Sequence, residues 1–418
     1  MTAQRRARVV TLGCRLNAFE SEVMRGHLDA AGRDDVVVIN TCTVTAEAER
    51  QARQAIRREH RRHPGKRIVV TGCAAQLDPD GFAAMPEVDQ VIGNAEKLDA
   101  ATFAGLDAAP QVQVADIMAV EETAAHLVPG FDGRARAFIQ VQQGCDHRCT
   151  FCIIPFARGP NRSVGLGALV EQVRALVAEG FREVVLTGVD ICSYGADLDG
   201  QPRLGQAVHR LLQAVPDLPR LRLSSLDPAA MDDALFELLA DEPRLMPHLH
   251  LSLQSLDDMV LKRMKRRHSV AEAAAVIARA RAIRPDVAIG ADLIAGFPTE
   301  TEAMHANTLT AVRDLGLPLL HVFPYSERPD TPAERMPAVP VHKRKGRAAE
   351  LRQAGEAALA DYMAGFLGRG TDVLVERDGQ GFSEHYLAAR IDGDAAPGSV
   401  VRGVVSGVDD ARFVVRPT

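Results

Sequence analysis

The 418 residues correspond to two or three domains at about 150 residues each, and a hydrophobic content of 46% suffices for sizeable cores. The 49 basic and 55 acidic residues leave a net charge of −6, which excludes a globally basic nucleic-acid binder and confines any such contact to local patches. No stretch approaches the roughly 18 apolar residues of a membrane span, and the opening MTAQRRARVV lacks a signal-peptide core, so the expectation is a cytoplasmic chain without membrane contact.

In chain order, residues 1–110 read as strand-then-helix units of a parallel α/β domain. ARVVTLGC ends at Cys14 and precedes an amphipathic run from Asn17 to about Ala31, with Asn17 placed to serve as N-cap and Gly32 as the stop. DVVVINTC ends at Cys42 and RIVVTGC at Cys73, at intervals close to one βαβ repeat of roughly 30 residues. Strand carboxyl ends share one edge of a parallel sheet, so the three thiols are predicted to converge there. From about Asp99 to Gly133 the pattern loosens into a linker with some strand character.

Residues 131–362 open near Arg134 with the strand RAFIQVQQG, followed by EVVLTGV, RLRLSSL, HLHLSLQS, VAIGADLIAGFP and LPLLHVFPYS between helical stretches. This alternation predicts a partial (β/α)6 barrel with functional groups at its strand carboxyl ends. Residues 365–418 carry short alternating runs such as TDVLVERD and ARFVVRP, the pattern of a small antiparallel β-barrel.

Seven cysteines are too few for a disulfide scaffold. Cys145, Cys149 and Cys152 have a Cys-x3-Cys-x2-Cys spacing, which lets three thiolates hold three corners of a 4Fe-4S cluster and leaves one iron open. The other reading is a structural zinc with His147 or a distant residue as fourth ligand, although the paired spacings of zinc fingers are missing. By the same logic Cys14, Cys42 and Cys73, the first trio along the chain, hold an auxiliary cluster; alternatively, they are small buried hydrophobes at strand ends. Cys192 has no partner and reads as a plain thiol near the barrel mouth. Asp190, Gln254, Asp292 and Gly296 sit at strand ends, where they either hold polar groups of a cofactor or serve structure alone.

Basic residues gather in three places. Arg50, Arg53, Arg57 and Arg61 share one helix face; Lys262, Arg263, Lys265, Arg266 and Arg267 lie in the barrel; Lys343, Arg344, Lys345 and Arg347 precede the small barrel. Together they fit an extended RNA docked across the chain.

The second trio, with Phe151 directly before its last cysteine, resembles the signature of radical S-adenosylmethionine enzymes. That resemblance implies an open iron that chelates S-adenosylmethionine and a 5′-deoxyadenosyl radical formed on its cleavage, with Phe151 among the residues of the cofactor site. Around the cysteines, TLGCRLN, INTCTVT, TGCAAQ and GCDHRCTFCIIPFARGPNRS, followed by SLQS, GFPTETE and HVFPYSERPDTPA, look like the tRNA methylthiotransferases. The similarity is greatest to the branch acting on threonylcarbamoyladenosine next to the anticodon, and the terminal barrel corresponds to its TRAM domain.

The resemblance implies that Cys14, Cys42 and Cys73 bind one 4Fe-4S cluster and Cys145, Cys149 and Cys152 another. One S-adenosylmethionine methylates sulfur, and a second yields the radical that takes hydrogen from carbon 2 of the adenine. Implied partners are a tRNA anticodon loop and an electron donor such as flavodoxin or ferredoxin. The nearest alternative is the same chemistry on isopentenyl-modified adenosine or on a ribosomal protein aspartate. A non-catalytic, metal-containing RNA-binding protein is the alternative of another class; about eight irons per chain would separate it from the enzyme.

Overall fold

The computed structural model describes residues 7–121, 126 and 135–418; the boundary expected at 131 and the start near Arg134 lie outside them. The N-terminal unit is a parallel sheet of β1 (Arg8–Thr11), β2 (Val36–Thr41), β3 (Arg67–Gly72), β4 (Gln90–Ile92) and β5 (Val112–Gln113), in that order. Every residue of β2, VVVINT, is buried, because helices cover both faces of a parallel sheet and no alternation is needed.

Two local readings need correction. The sheet reaches past residue 110 into the expected linker, where Val91 and Gly93 donate to the carbonyls of Gln111 and Gln113 at 2.8 and 2.9 Å. Helix α1 runs Arg15–Ala30 with Cys14, not Asn17, at its N-cap. Gly13, at φ +92°, turns the chain so early that Asn17 falls inside the first turn, where its amide donates to the carbonyls of Leu12 (2.7 Å) and Thr41 (3.0 Å).

The second unit contains β6 (Arg136–Gln140), β7 (Glu183–Thr187), β8 (Arg220–Leu223, resuming at Ser225–Leu226), β9 (His248–Gln254), β10 (Ala288–Ala295) and β11 (Leu319–Pro324). Each pairs in parallel with the next, which makes an open partial barrel around one continuous core. The last unit is a closed five-stranded barrel over residues 370–417. Its pairings are antiparallel except one, Ala388–Ile391 beside Arg412–Pro417. Among the described residues no helix is long and apolar enough to cross a membrane.

The small barrel closes the amino ends of the large barrel's strands. Tyr386 is inserted there, with its ring 5.0 Å from that of His248, the guanidiniums of Arg136 and Arg222 against it, and its hydroxyl accepting from Arg15 of α1 at 2.9 Å. All three units therefore meet at one side chain. Beneath it the first residue of β7, Glu183, accepts from Arg222 at 3.0 and 3.1 Å and lies 3.0 Å from Arg220. Burial opposes ionisation of Glu183, but Arg222 and Arg220 outweigh it and hold the carboxyl at about 2.

Glu183→Gln would strand buried guanidiniums, so the unfolding free energy should fall by about 3–5 kcal/mol in a urea titration. The carboxyl's folded-state value lies below its ordinary 4.5, so its contribution is complete above that pH and drains away as pH falls towards 2. In the Gln variant that acid-dependent part should be missing.

Candidate active site

The N-terminal cysteines lie at one sheet edge, as the repeat spacing predicts. Cys14 caps α1, Cys42 follows β2, and Cys73 opens a short helix, Cys73–Leu77, after β3. Two glycines permit the approach. A Cβ at Gly13 would stand 2.6 Å from Cys42 Cβ and 2.8 Å from its Sγ, and one at Gly72, φ +96°, would stand 2.4 Å from the Thr41 carbonyl oxygen. Burial, reinforced by Cys73, pushes the Cys42 thiol up to about 12, whereas Cys14 is exposed. A metal that takes the place of the proton offsets the cost of ionising a buried thiol.

Ligand number bears on the two metal readings. A cubane presents a different iron to each of three thiolates and leaves the fourth iron open, whereas a single tetrahedral zinc requires a fourth protein ligand in a closed site.

Beside the first trio lies a buried charge cluster that sequence reasoning missed. Arg158 comes from the barrel unit, at the end of the short helix Ile154–Arg158 that follows Cys152, yet its Nε donates to Cys73 Sγ at 3.1 Å. Its other nitrogens donate to Glu20 (2.5 Å), Asn17 (2.5 Å) and Gln143 (3.0 Å), while Lys97 donates to Glu20 and to Asn94, both at 2.6 Å. Burial opposes ionisation of Glu20, but Arg158 and Lys97 hold it at about 2. Burial, with repulsion from Arg158, lowers Lys97 against the attraction of Glu20. Two cations share one carboxylate, which leaves one positive charge in excess beside the thiols. Three thiolates on an oxidised cubane core of charge two carry one net negative charge, so that group fits the site electrically as well as sterically. The only sequence signal was the polar set Asn17, Glu20 and Ser21 on the buried face of α1.

The second trio sits on the loop after β6. Gly144, φ +72°, is obligatory before Cys145, because a Cβ there would fall 1.7 Å from the Pro160 carbonyl oxygen. Thr150 fixes the loop by donating to the Met264 and Arg263 carbonyls at 3.1 and 2.8 Å. Burial drives Cys145 to about 12, with Asp190 adding to it, and Cys152 to about 11. His147 Nε2 lies 2.9 Å from Asp190, which leaves Nδ1 as the ring nitrogen with a free lone pair. Cys192 joins neither trio; its sulfur accepts from the Asp227 amide at 3.3 Å.

Between the trios opens a cavity of about 250 Å³. Val44 and Thr45, just past Cys42, form one wall; Phe151 and Cys152 form another; Gln254, Asp292, Tyr325 and Arg328 come from the strand ends and the loop beyond β11. Gln254 holds a strained φ of +66° at the end of β9. Asp292 lies 3.1 Å from His250 Nε2 and 3.2 Å from His321 Nδ1. Burial opposes its ionisation, but these bonds keep its carboxyl below the ordinary range. Tyr325 and Arg328, absent from the expected set, bring a buried hydroxyl and a buried Nε that lack hydrogen-bond partners. Arg328 is anchored across the domain boundary, donating to Thr43 Oγ1 at 2.8 Å and pairing with Glu49.

Other expected residues lie elsewhere. Asp190 stands by the Cys145 loop through His147 rather than on this cavity wall. Gly296 packs against Arg344, where a Cβ would come within 2.7 Å of Cγ, so it serves packing. Arg50 and Arg53 are paired with Glu47 and Asp78, Arg57 stands 3.9 Å from Glu87, and Arg61 is exposed. Lys262 and Lys265 are exposed and Arg263 donates to the Thr299 carbonyl, but Arg266 is turned inward, 3.6 Å from Cys149 Sγ and 2.8 Å from the Ser252 carbonyl oxygen. Arg344 and Arg347 are likewise buried, on Glu327 and Glu300, because their helix packs on the barrel. The basic surface is therefore smaller than the sequence suggested.

Known proteins match this arrangement. The radical SAM superfamily model matches residues 139–312, and that of an uncharacterized protein family, UPF0004, matches 6–93. A threonylcarbamoyladenosine tRNA methylthiotransferase of Rickettsia prowazekii is 50% identical over 97% of this chain and 96% of its own length. One from Aquifex aeolicus is 35% identical over 94% and 98%. The chain belongs to the threonylcarbamoyladenosine tRNA methylthiotransferase family. Among solved structures, the radical S-adenosylmethionine methyltransferase TsrM from Kitasatospora setae superposes with a TM-score of 0.58 at 18% identity, covering 78% of this chain and 77% of that one, a likeness of fold. Membership makes the protein a radical S-adenosylmethionine transferase whose cofactors include S-adenosylmethionine and a 4Fe-4S cluster.

For such a transferase the Gly13 approach becomes testable. Gly13→Ala should exclude metal from the first trio alone. Anaerobic reconstitution should then give about four irons per chain instead of about eight, with the Cys145 loop still loaded.

Proposed function

We propose that this chain converts N6-threonylcarbamoyladenosine beside a tRNA anticodon to its 2-methylthio derivative in the cytoplasm. Cys14, Cys42 and Cys73 would hold an auxiliary 4Fe-4S cluster, and Cys145, Cys149 and Cys152 the cluster that binds S-adenosylmethionine. The observation that carries this reading is one cavity lined by Val44–Thr45, just past Cys42, on one side and by Phe151–Cys152 on the other, because the segments that carry the two trios then border one substrate position. When bound, these groups supply the radical that removes hydrogen from carbon 2 of the adenine and the sulfur and methyl group that replace it.

The protein's own part is placement. Phe151, packed edge-on to Phe297 at 6.5 Å between centroids, gives the cavity an apolar wall that keeps water from reactive species. Gln254 and Asp292 offer polar contacts to S-adenosylmethionine, and Asp190 lies at the Cys145 loop. Arg328 and Tyr325 present unpaired donors to the modified base, in a site where an unmet buried donor is costly until a ligand accepts from it. Residues 365–418, with Lys262, Lys265 and the outer face of Ala46–Arg62, are assigned to the tRNA, whose target base is splayed into the cavity. An electron donor such as flavodoxin or ferredoxin completes the system.

Nucleoside mass spectrometry of tRNA from a deletion strain tests the substrate: 2-methylthio-threonylcarbamoyladenosine should vanish, and an unchanged nucleoside profile would overturn the reading. In the purified protein, Cys73→Ala should leave reductive cleavage of S-adenosylmethionine detectable while abolishing methylthio transfer. Loss of both together would refute the division of roles.

A further inference from the structure

We propose that Arg158 is a positioning residue that raises the reduction potential of the cluster at Cys14, Cys42 and Cys73. The inference rests on the reading of that trio as a cluster site.

The potential of an iron-sulfur cluster responds to hydrogen bonds on its sulfurs, to net charge nearby and to solvent exposure. All three point to Arg158. Its Nε donates to Cys73 Sγ at 3.1 Å, its side chain is 2% exposed, and a guanidinium keeps its charge at any working pH. Its neighbours do not cancel that charge, since Glu20 is shared between Arg158 and Lys97. Taking up one electron makes the cluster more negative by one charge, so a fixed cation in contact with a ligand sulfur stabilises the reduced form more than the oxidised form. Little solvent screening intervenes at this depth.

The side chain reaches the first trio from the barrel unit. Arg158 ends the helix that begins just after Cys152, and Gly159 reverses the chain there at φ +75°, where a Cβ would fall 2.3 Å from the Ile117 carbonyl oxygen. Arg162 Nη2 further fixes the turn by donating to the Arg158 carbonyl at 2.9 Å. One short segment thus carries both the ligands of the second trio and the cation on the first.

The experiment uses the full chain with Cys145, Cys149 and Cys152 replaced by Ala, so that the spectroscopic signal comes from the first trio alone. It is reconstituted anaerobically and titrated redox-wise under electron paramagnetic resonance. Arg158→Gln should move the midpoint to a more negative potential, and Glu20→Gln, which removes the opposing charge without touching a cysteine, should move it to a more positive one. A cluster that forms in Arg158→Gln with an unmoved midpoint overturns the proposal. If that variant fails to hold iron, Glu20→Gln decides alone: a positive shift supports the proposal, and no shift or a negative one overturns it. Absence of any cluster in the parent chain would instead refute the assignment of the trio, a separate failure.

Discussion

A buried cation that reaches across a domain boundary to touch a sulfur sets the orientation in which the N-terminal unit and the barrel meet. Arg158 and Lys97 sit on opposite sides of the Glu20 carboxylate with almost no solvent exposure, and each partner supplies what desolvation removes from the other. Such a network holds only when every member is satisfied, which explains why Asn17, Asn94 and Gln143 converge on it with amide oxygens. The N-terminal sheet and the barrel thereby meet in one fixed orientation. Cys152 and the segment just past Cys42 can then border a common cavity.

The opposite end of the barrel is closed by the same device. There Glu183 gathers Arg222 and Arg220, and the Tyr386 ring lies against Arg136 and Arg222. Cation–π contacts gain strength when desolvated, to about 2 kcal/mol. The small barrel thus becomes a fixed cover over the strand amino ends, and the carboxyl ends stay free for chemistry. Amino ends hold the assembly together and carboxyl ends carry the site, the usual division of labour in parallel barrels.

Much of this was legible in the sequence because it is periodic or local. Strand-cysteine repeats fixed the convergence of Cys14, Cys42 and Cys73, and six apolar runs marked the barrel strands. What escaped is long-range and polar. Arg158 stood inside a recognisable motif, yet nothing local says that its guanidinium crosses into another domain. Arg266, Arg344 and Arg347 looked like surface charge because composition is blind to burial; tertiary partners, Cys149 and Ser252 for the first and Glu327 and Glu300 for the others, draw them inward. Gly296 followed a strand end as a ligand-binding glycine would, and only the packing of Arg344 gives its reason. The short β5 shows only as some strand character in a Pro- and Ala-containing linker, because two residues are too few to show alternation.

The two trios have related electrical surroundings. Arg266 approaches Cys149 at 3.6 Å, and its carboxylate partner Asp227 is shared with Arg267, as Glu20 is shared between Arg158 and Lys97. Each trio therefore has a guanidinium against one sulfur that the neighbouring carboxylate does not fully cancel. The contact is shorter at the first trio, 3.1 Å from Arg158 Nε to Cys73 Sγ, and there the side chain reaches in from another domain. Charges packed around the ligands thus belong to the design of both sites as much as the ligands themselves.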